Sequence, residues 1–295
     1  MRGRSRSQEA GRAIDKPWTH MAKIRGRVIP MSQMLLRRNR GFRYLFSASA
    51  ISNLGDGVSA LAFPWLATLL TRDPFLIAVV AAATRLPWLL ISIPAGVVID
   101  RMDRRAVMVR ADLFRMVLTV GVVGLILLVP DLPLEGDPIV YIAALSALAF
   151  LLGVAEVLRD NAAQTCLPSV VDKDDLESAN GQIWSVEQVM GSLVGPPIAG
   201  VLIALAAPAP FILDAVTFGL AAWLIWMIAI PARVAPSRER RFWFEFMEGA
   251  KWLWRNVLLF RLAILLGFVN GTATAYLTVL VLYSQEVLGL SAVGH

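Results

Sequence analysis

Residues 75–105 read FLIAVVAAATRLPWLLISIPAGVVIDRMDRR, and the fold turns on them. Between Phe75 and Ile99 the one charged residue is Arg85, so the run is long and apolar enough to cross about 30 Å of hydrocarbon as a helix rising about 1.5 Å per residue. It shows no alternation of period two, which excludes a barrel strand. It also leaves no polar face for water, which excludes a soluble amphipathic helix. Outward from this stretch the texture repeats. Apolar blocks cover about residues 44–69, 106–129, 139–158, 183–207, 211–230 and 257–283, making seven with the first. Lipid admits only helices and closed barrels as spanning structures, so the sequence predicts an all-α membrane protein, a polytopic transmembrane helical bundle.

Composition agrees. Of 295 residues, 57% are hydrophobic and 17% charged, far more apolar than a globular domain. A single cysteine, Cys166, and two histidines, His20 and His295, exclude a disulfide framework, a zinc finger and a His/Cys metal cage. No metal and no cofactor are called for. A polytopic membrane enzyme would need His, Asp or Cys gathered where a soluble substrate arrives. The acidic run Asp172, Asp174, Asp175 and Glu177, interrupted by Lys173, reads instead as the solvated start of a helix, so no enzyme is predicted.

The basic residues orient the bundle. Twenty-five of the 28 Lys and Arg lie before the first block or in every second connection after it, while the opposite connections hold only Arg72 beside Asp73, Asp131, Glu135 and Asp137. Lys and Arg mark the cytoplasmic side, so the N-terminus is expected in the cytoplasm of a bacterium, with the spans in its inner membrane. The net charge of +6 then reflects orientation, and no nucleic-acid partner is expected. Residues 1–40, basic and without the apolar core of a signal peptide, are predicted to be an irregular cytoplasmic tail. Residues 41–230 form a six-helix bundle, 231–256 a cytoplasmic linker, and 257–295 the seventh span, opening a second bundle. In the linker, Arg241, Glu245, Glu248, Lys251 and Arg255 fall on one helical face and Trp243, Met247, Ala250 and Trp254 on another, the pattern of a helix lying in the membrane interface.

Two motifs sit on these helices. Gly96-Val-Val-Ile-Asp100-Arg101-Met-Asp103-Arg104-Arg105 follows the second span, where a tight turn would need Gly96 and where an Asp among Arg residues can make and break charge-assisted bonds. It resembles the G-x-x-x-D-R-x-G-R-R signature of the major facilitator superfamily, with Asp103 in place of the last Gly. In the fifth span, Gly191-Ser-Leu-Val-Gly195-Pro196-Pro197-Ile-Ala-Gly200 is similar to the G-x-x-x-G-P-x-x-G-G element of antiporters in that superfamily, with Ala199 for one Gly. Small residues four apart let helices approach closely, and paired prolines free backbone carbonyls. The stretches 163–168, 176–181 and 211–218 resemble the branch containing bacterial siderophore and macrolide exporters. An internal echo, PAGVVI at 94–99 and IAGVLI at 198–203, sets the second and fifth spans in register, as an inverted repeat requires.

Ionisable side chains at mid-membrane cost at least about 2.5–3.5 kcal/mol each, so they need a partner or a task. Asp56, between Gly55 and Gly57, is the leading proton-linked or cation-binding carboxylate, and Arg85, similarly deep, is its expected ion-pair partner or an anion contact. Glu156 and Arg159 share a helix face, as a proton relay, a substrate contact, or a gate toward the turn bearing Asp100 and Arg104. Asp112 and Arg115, expected near the cytoplasmic edge, would neutralise each other.

The resemblance implies a secondary transporter that exports a small amphiphilic, drug-like or siderophore-like compound against protons. Alternating access needs two bundles, and only the first and one helix of the second are visible, so the sequence is expected to be a truncated transporter.

Overall fold

A computed structural model describes residues 23–24, 27–28, 31–99, 102–129, 134, 136–229 and 242–286. A two-residue antiparallel pairing of β1 (Lys23–Ile24) and β2 (Arg27–Val28) precedes helix α1 (Met31–Arg38). The remaining described elements are helical. They are α2 (Arg40–Leu70), α3 (Pro74–Ile99), α4 (Arg104–Leu128), α5 (Ile139–Val170), α6 (Leu176–Gln188), α7 (Gly195–Leu205), α8 (Ala209–Trp226), α9 (Phe242–Arg255) and α10 (Val257–Glu286). A 3-10 turn, Lys173–Asp175, leads into α6, and a π turn, Val189–Val194, joins α6 to α7.

Short polar side chains set the helix starts, because the first backbone N–H groups of a helix have no partner within it. Asn39 accepts from the Phe42 N–H at 2.8 Å, Asp73 from Phe75 at 2.8 Å, Asp137 from Ile139 at 2.9 Å, and Asn256 from Leu259 at 3.3 Å. Asp103 accepts from both Arg105 and Ala106, at 2.9 and 3.3 Å. The departure from the superfamily pattern at this position is thus a helix cap.

Of the seven apolar blocks, five appear as helices both long and apolar enough to cross a membrane; one of them runs continuously from Lys173 to Leu205. The bent pair Met247–Arg255 and Val257–Ala273, turning through 100°, makes up to a sixth. The remaining block, α2, has 31 residues and is amply long, but Ser47, Ser49, Ser52, Asn53 and Asp56 make its middle polar. This polar middle is compatible with spanning because α2 packs against α3, α5, α6, α7 and α8. The tail expected to be irregular through residue 40 carries α1, whose Leu35 is buried and whose Arg38 pairs with Asp175 before α6.

The bundle interior is layered. Phe42, Leu45, Ile99, Met108, Val157, Cys166 and Ile225 form one apolar cluster toward the end that carries the basic turns. Phe63, Leu66, Val80, Val122, Leu145 and Phe211 form a second toward the other end. Between them lie the buried polar side chains Ser49, Ser52, Ser59, Asp112, Arg115, Arg159 and Asp214. Along α2 the order is Phe42, Leu45 and Ala48, then the serines, then Ala62, Phe63 and Leu66, so one helix records all three layers.

Candidate functional site

Helices α2, α4, α5 and α8 bring the polar layer together. Arg115 on α4, 2% exposed, donates through Nη2 to Asp56 Oδ1 on α2 and through Nη1 to Ser52 Oγ at 3.2 Å. Its guanidinium lies over the Phe218 ring of α8, 3.9 Å from the centroid, so a cation–π contact closes the side away from Asp56. Arg115 also stands 3.7 Å from Asp112, one helical turn back. Arg159 on α5 is wholly buried: Nε lies 3.8 Å from Asp112 Oδ1, Nη1 donates to Asp160 at 3.0 Å, and Nη2 donates to Ser49 Oγ at 3.3 Å. Asp112, itself 0% exposed, therefore sits between two guanidiniums. Every member of the network needs the others, because an ion left alone in such a place is strongly destabilising.

This arrangement corrects three sequence expectations. Asp56 takes Arg115 as its partner, while Arg85 is exposed on α3. Arg159 fastens α5 to α4 and α2 inside the bundle and not to the basic turn, and Asp112 and Arg115 lie in the core, not at an edge. Glu156, one turn from Arg159, accepts from Trp88 Nε1 of α3 at 3.4 Å and feels the field of Arg85. Trp88 and Glu156 thus meet at the α3–α5 contact, and Glu156 lies in the field of Asp56 and Arg115 more than in that of Arg85.

Asp214 on α8 is a site residue that the sequence reading passes over, although the rule that singles out Asp56 covers it: it is the one ionisable residue of α8. It is 1% exposed, and its Oδ2 accepts from Ser59 Oγ of α2 at 2.5 Å. Asp214 and Thr217 occupy the space where a side chain of Gly55 would stand, so Gly55 is bare to admit them.

The basic turn is partly described; Asp100 and Arg101 lie outside the described residues. Arg104 donates to the Thr165 carbonyl on α5 at 2.5 Å, and Arg105 donates to the Trp226 carbonyl, the last of α8. The Trp226 contact suits a cation, because the last carbonyls of a helix lack helical partners. Gly96 is not in the turn but inside α3, and a Cβ there would meet nothing within 4 Å. The expected tight turn at Gly96 is therefore replaced by a regular last helical turn.

The glycine–proline motif lies where backbone touches backbone. A Cβ on Gly57 would run into the Gly191 carbonyl of the π turn, and one on Gly195 would come within 2.6 Å of the Gly57 Cα. Pro196 and Pro197 offer no N–H, and the Gly195 N–H bonds to Met190 in the wider π register. Gly200 is buried at the same side of α7 as Gly195 and Ala199. The bare crossing adjoins Asp56, so the motif sets how closely α7 seats beside that carboxylate.

A family model described as transmembrane secretion effector matches residues 32–292. Among curated relatives, the multidrug efflux pump Tap of Mycobacterium tuberculosis is 30% identical over 252 residues, covering 80% of this chain and 56% of that protein. Tap of Mycolicibacterium fortuitum is 28% identical over 223 residues, covering 74% and 53%. A Bacillus subtilis protein named as an uncharacterized MFS-type transporter, YkuC, is 26% identical over 250 residues, covering 79% and 55%. The chain spans about half the length of the curated relatives it matches. No solved structure is a significant match.

Proposed function

The chain belongs to the transmembrane secretion effector family of major facilitator transporters, and from that premise we propose that it works in proton-coupled export of a small amphiphilic, drug-like or siderophore-like compound across a bacterial inner membrane. The observation that carries this reading is the Asp56–Arg115 pair, held between two apolar layers in helices long enough to span. A fold gains no stability from a buried ion pair that apolar residues could replace, so its presence favours a transported ion or a switch. Asp56 has 25% of its side chain exposed, and is therefore reachable from the bundle's open side, whereas Arg115 is sealed behind it. In this reading Asp56 exchanges the Arg115 bond for a proton. Arg159 holds α5 in place, and Glu156 with Trp88 and Arg85 meets the cargo. The homologues named as multidrug pumps support a chemically tolerant cargo site.

The basic ends of the helices face the cytoplasm in this reading, with the N-terminus. Arg104 and Arg105 there grip the ends of α5 and α8, and transport proceeds by rigid-body rocking of helical bundles. The test is proton-gradient-driven drug uptake into everted membrane vesicles in which these residues are carried by a transporter with both bundles. Wild-type uptake that collapses when Asp56 is replaced by Asn, with the protein still inserted, is the expected result. Undiminished uptake by the Asp56→Asn variant would refute the assignment.

A further inference from the structure

Arg115 pairs with Asp56 and stands 3.7 Å from Asp112, while a third acid, Asp214, lies near it without an ion pair. On one side is Asp56 of α2; on the other is α8, whose Phe218 supports the guanidinium and whose Asp214 lies one helical turn earlier on the same face. Asp214 Oδ1 has no hydrogen-bond partner, and among the described residues no cation comes within ion-pair distance of the carboxyl group. The Ser59 hydroxyl donates to Oδ2, while the nearby Thr217 hydroxyl donates to the Asp214 main-chain carbonyl at 2.7 Å. Arg115 Nε is likewise buried and unpartnered. The charged groups facing Asp214 are Asp56 from α2 and Arg115 from α4; α7, the remaining helix packed on α8, carries no titratable residue.

A fully buried carboxylate with so few donors is costly, and the same site suits a neutral carboxylic acid, which needs fewer. The acid fills the space of the missing side chain of Gly55, so α8 closes on α2 at this carboxyl group. Once ionised, it becomes a further claimant for Arg115, whose present partner is Asp56. We propose that Asp214 is a second proton-carrying group of the bundle, alternating with Asp56 as the partner of Arg115. The carboxyl group cycles between CO2H and CO2−, taking up one proton from water and returning one in each turn. When Asp56 gains a proton or a cationic group, Arg115 is released to the Asp214 carboxylate. When Asp214 is protonated again, Arg115 returns to Asp56.

This inference rests on the proton-coupled reading, and two measurements separate their fates. The first is infrared difference spectroscopy of the chain in lipid nanodiscs during a pH titration, comparing wild type with Asp214→Asn, which keeps the volume and can still accept from Ser59. A protonated-carboxyl band that titrates in the wild type and is missing from Asp214→Asn is expected. A band absent at every pH, or one that never titrates, overturns the proposal. The second is transport in everted vesicles by the same two-bundle transporter. Asp214→Asn should lose proton-driven accumulation while keeping downhill drug exchange. If the wild type accumulates drug and Asp214→Asn matches it, this proposal alone falls. If the wild type shows no proton-driven transport, the coupling reading falls and takes this proposal with it.

Discussion

At the scale of single residues, the chemistry of the bundle is a matter of who neutralises whom. Asp112 is shared by Arg115 and Arg159, and Arg115 is in turn shared by Asp112, Asp56, Ser52 and the face of Phe218. Replacing Arg115 by Leu strips two carboxylates of a partner and should cost about 3–5 kcal/mol, read as a lowered melting temperature in detergent. Adding Asp56→Asn to Arg115→Leu should recover part of that loss, because the orphaned charge goes too. A double variant no more stable than the single one would show that Asp56 draws its support from elsewhere. Depth within an apolar run makes Asp56 stand out in the sequence by position alone, while Glu156 and Arg159 stand out by their three-residue spacing on one helix face. Position does not assign partners. Arg85 and Arg115 are both arginines in apolar helices, and only the rotation of α3 and α4 decides that one faces outward and the other meets Asp56. Asp214 meets the same criterion as Asp56, but nothing on α8 points to its partner, because its hydroxyl donor comes from a residue 155 positions away.

At the scale of elements, glycines with the same look in the sequence do different work. Gly57 faces the Gly191 carbonyl with no room for a methyl group, while Gly96 looks into open space. Gly57→Ala should therefore force α2 from the π turn at about 1–3 kcal/mol, a typical overpacking cost, whereas Gly96→Ala should leave the bundle unharmed or gain up to about 1 kcal/mol of helix propensity. Thermal melts of the two variants side by side test this; equal destabilisation would contradict the assigned crossing. Most of the helices are legible in the sequence, because an apolar block of spanning length has few alternatives in lipid. Pro196 and Pro197 foreshadow the π turn but not its register, since the same prolines could kink an α-helix. Helix α1 escapes such a reading because eight residues are far too few for the apolar block that marks a span; tertiary contacts hold it, among them Leu35 in the core and Arg38 on Asp175.

At the scale of the molecule, the bundle is an apolar–polar–apolar sandwich with a bent appendage. Helix α9 meets α10 at Asn256, which caps α10, while Trp254 stacks on Phe260 with ring centroids 5.7 Å apart. The 100° bend and the exposure of Met247, Trp252 and Trp254 suit a helix that lies along a bilayer surface before the chain turns inward. The proposed orientation puts the basic connections in the cytoplasm, so a reporter that fluoresces only there, fused before Met31, should be bright. A dark fusion with an active periplasmic reporter at the same position would reverse the proposed topology.

The bond from Arg105 to the last carbonyl of α8 joins two places far apart in the chain, the turn entering α4 and the C-terminal end of α8. Any pull on that end of α8 is passed to α4, the helix that carries Asp112 and Arg115. A swing of α8 would thereby act on the buried charges through a lever one guanidinium long.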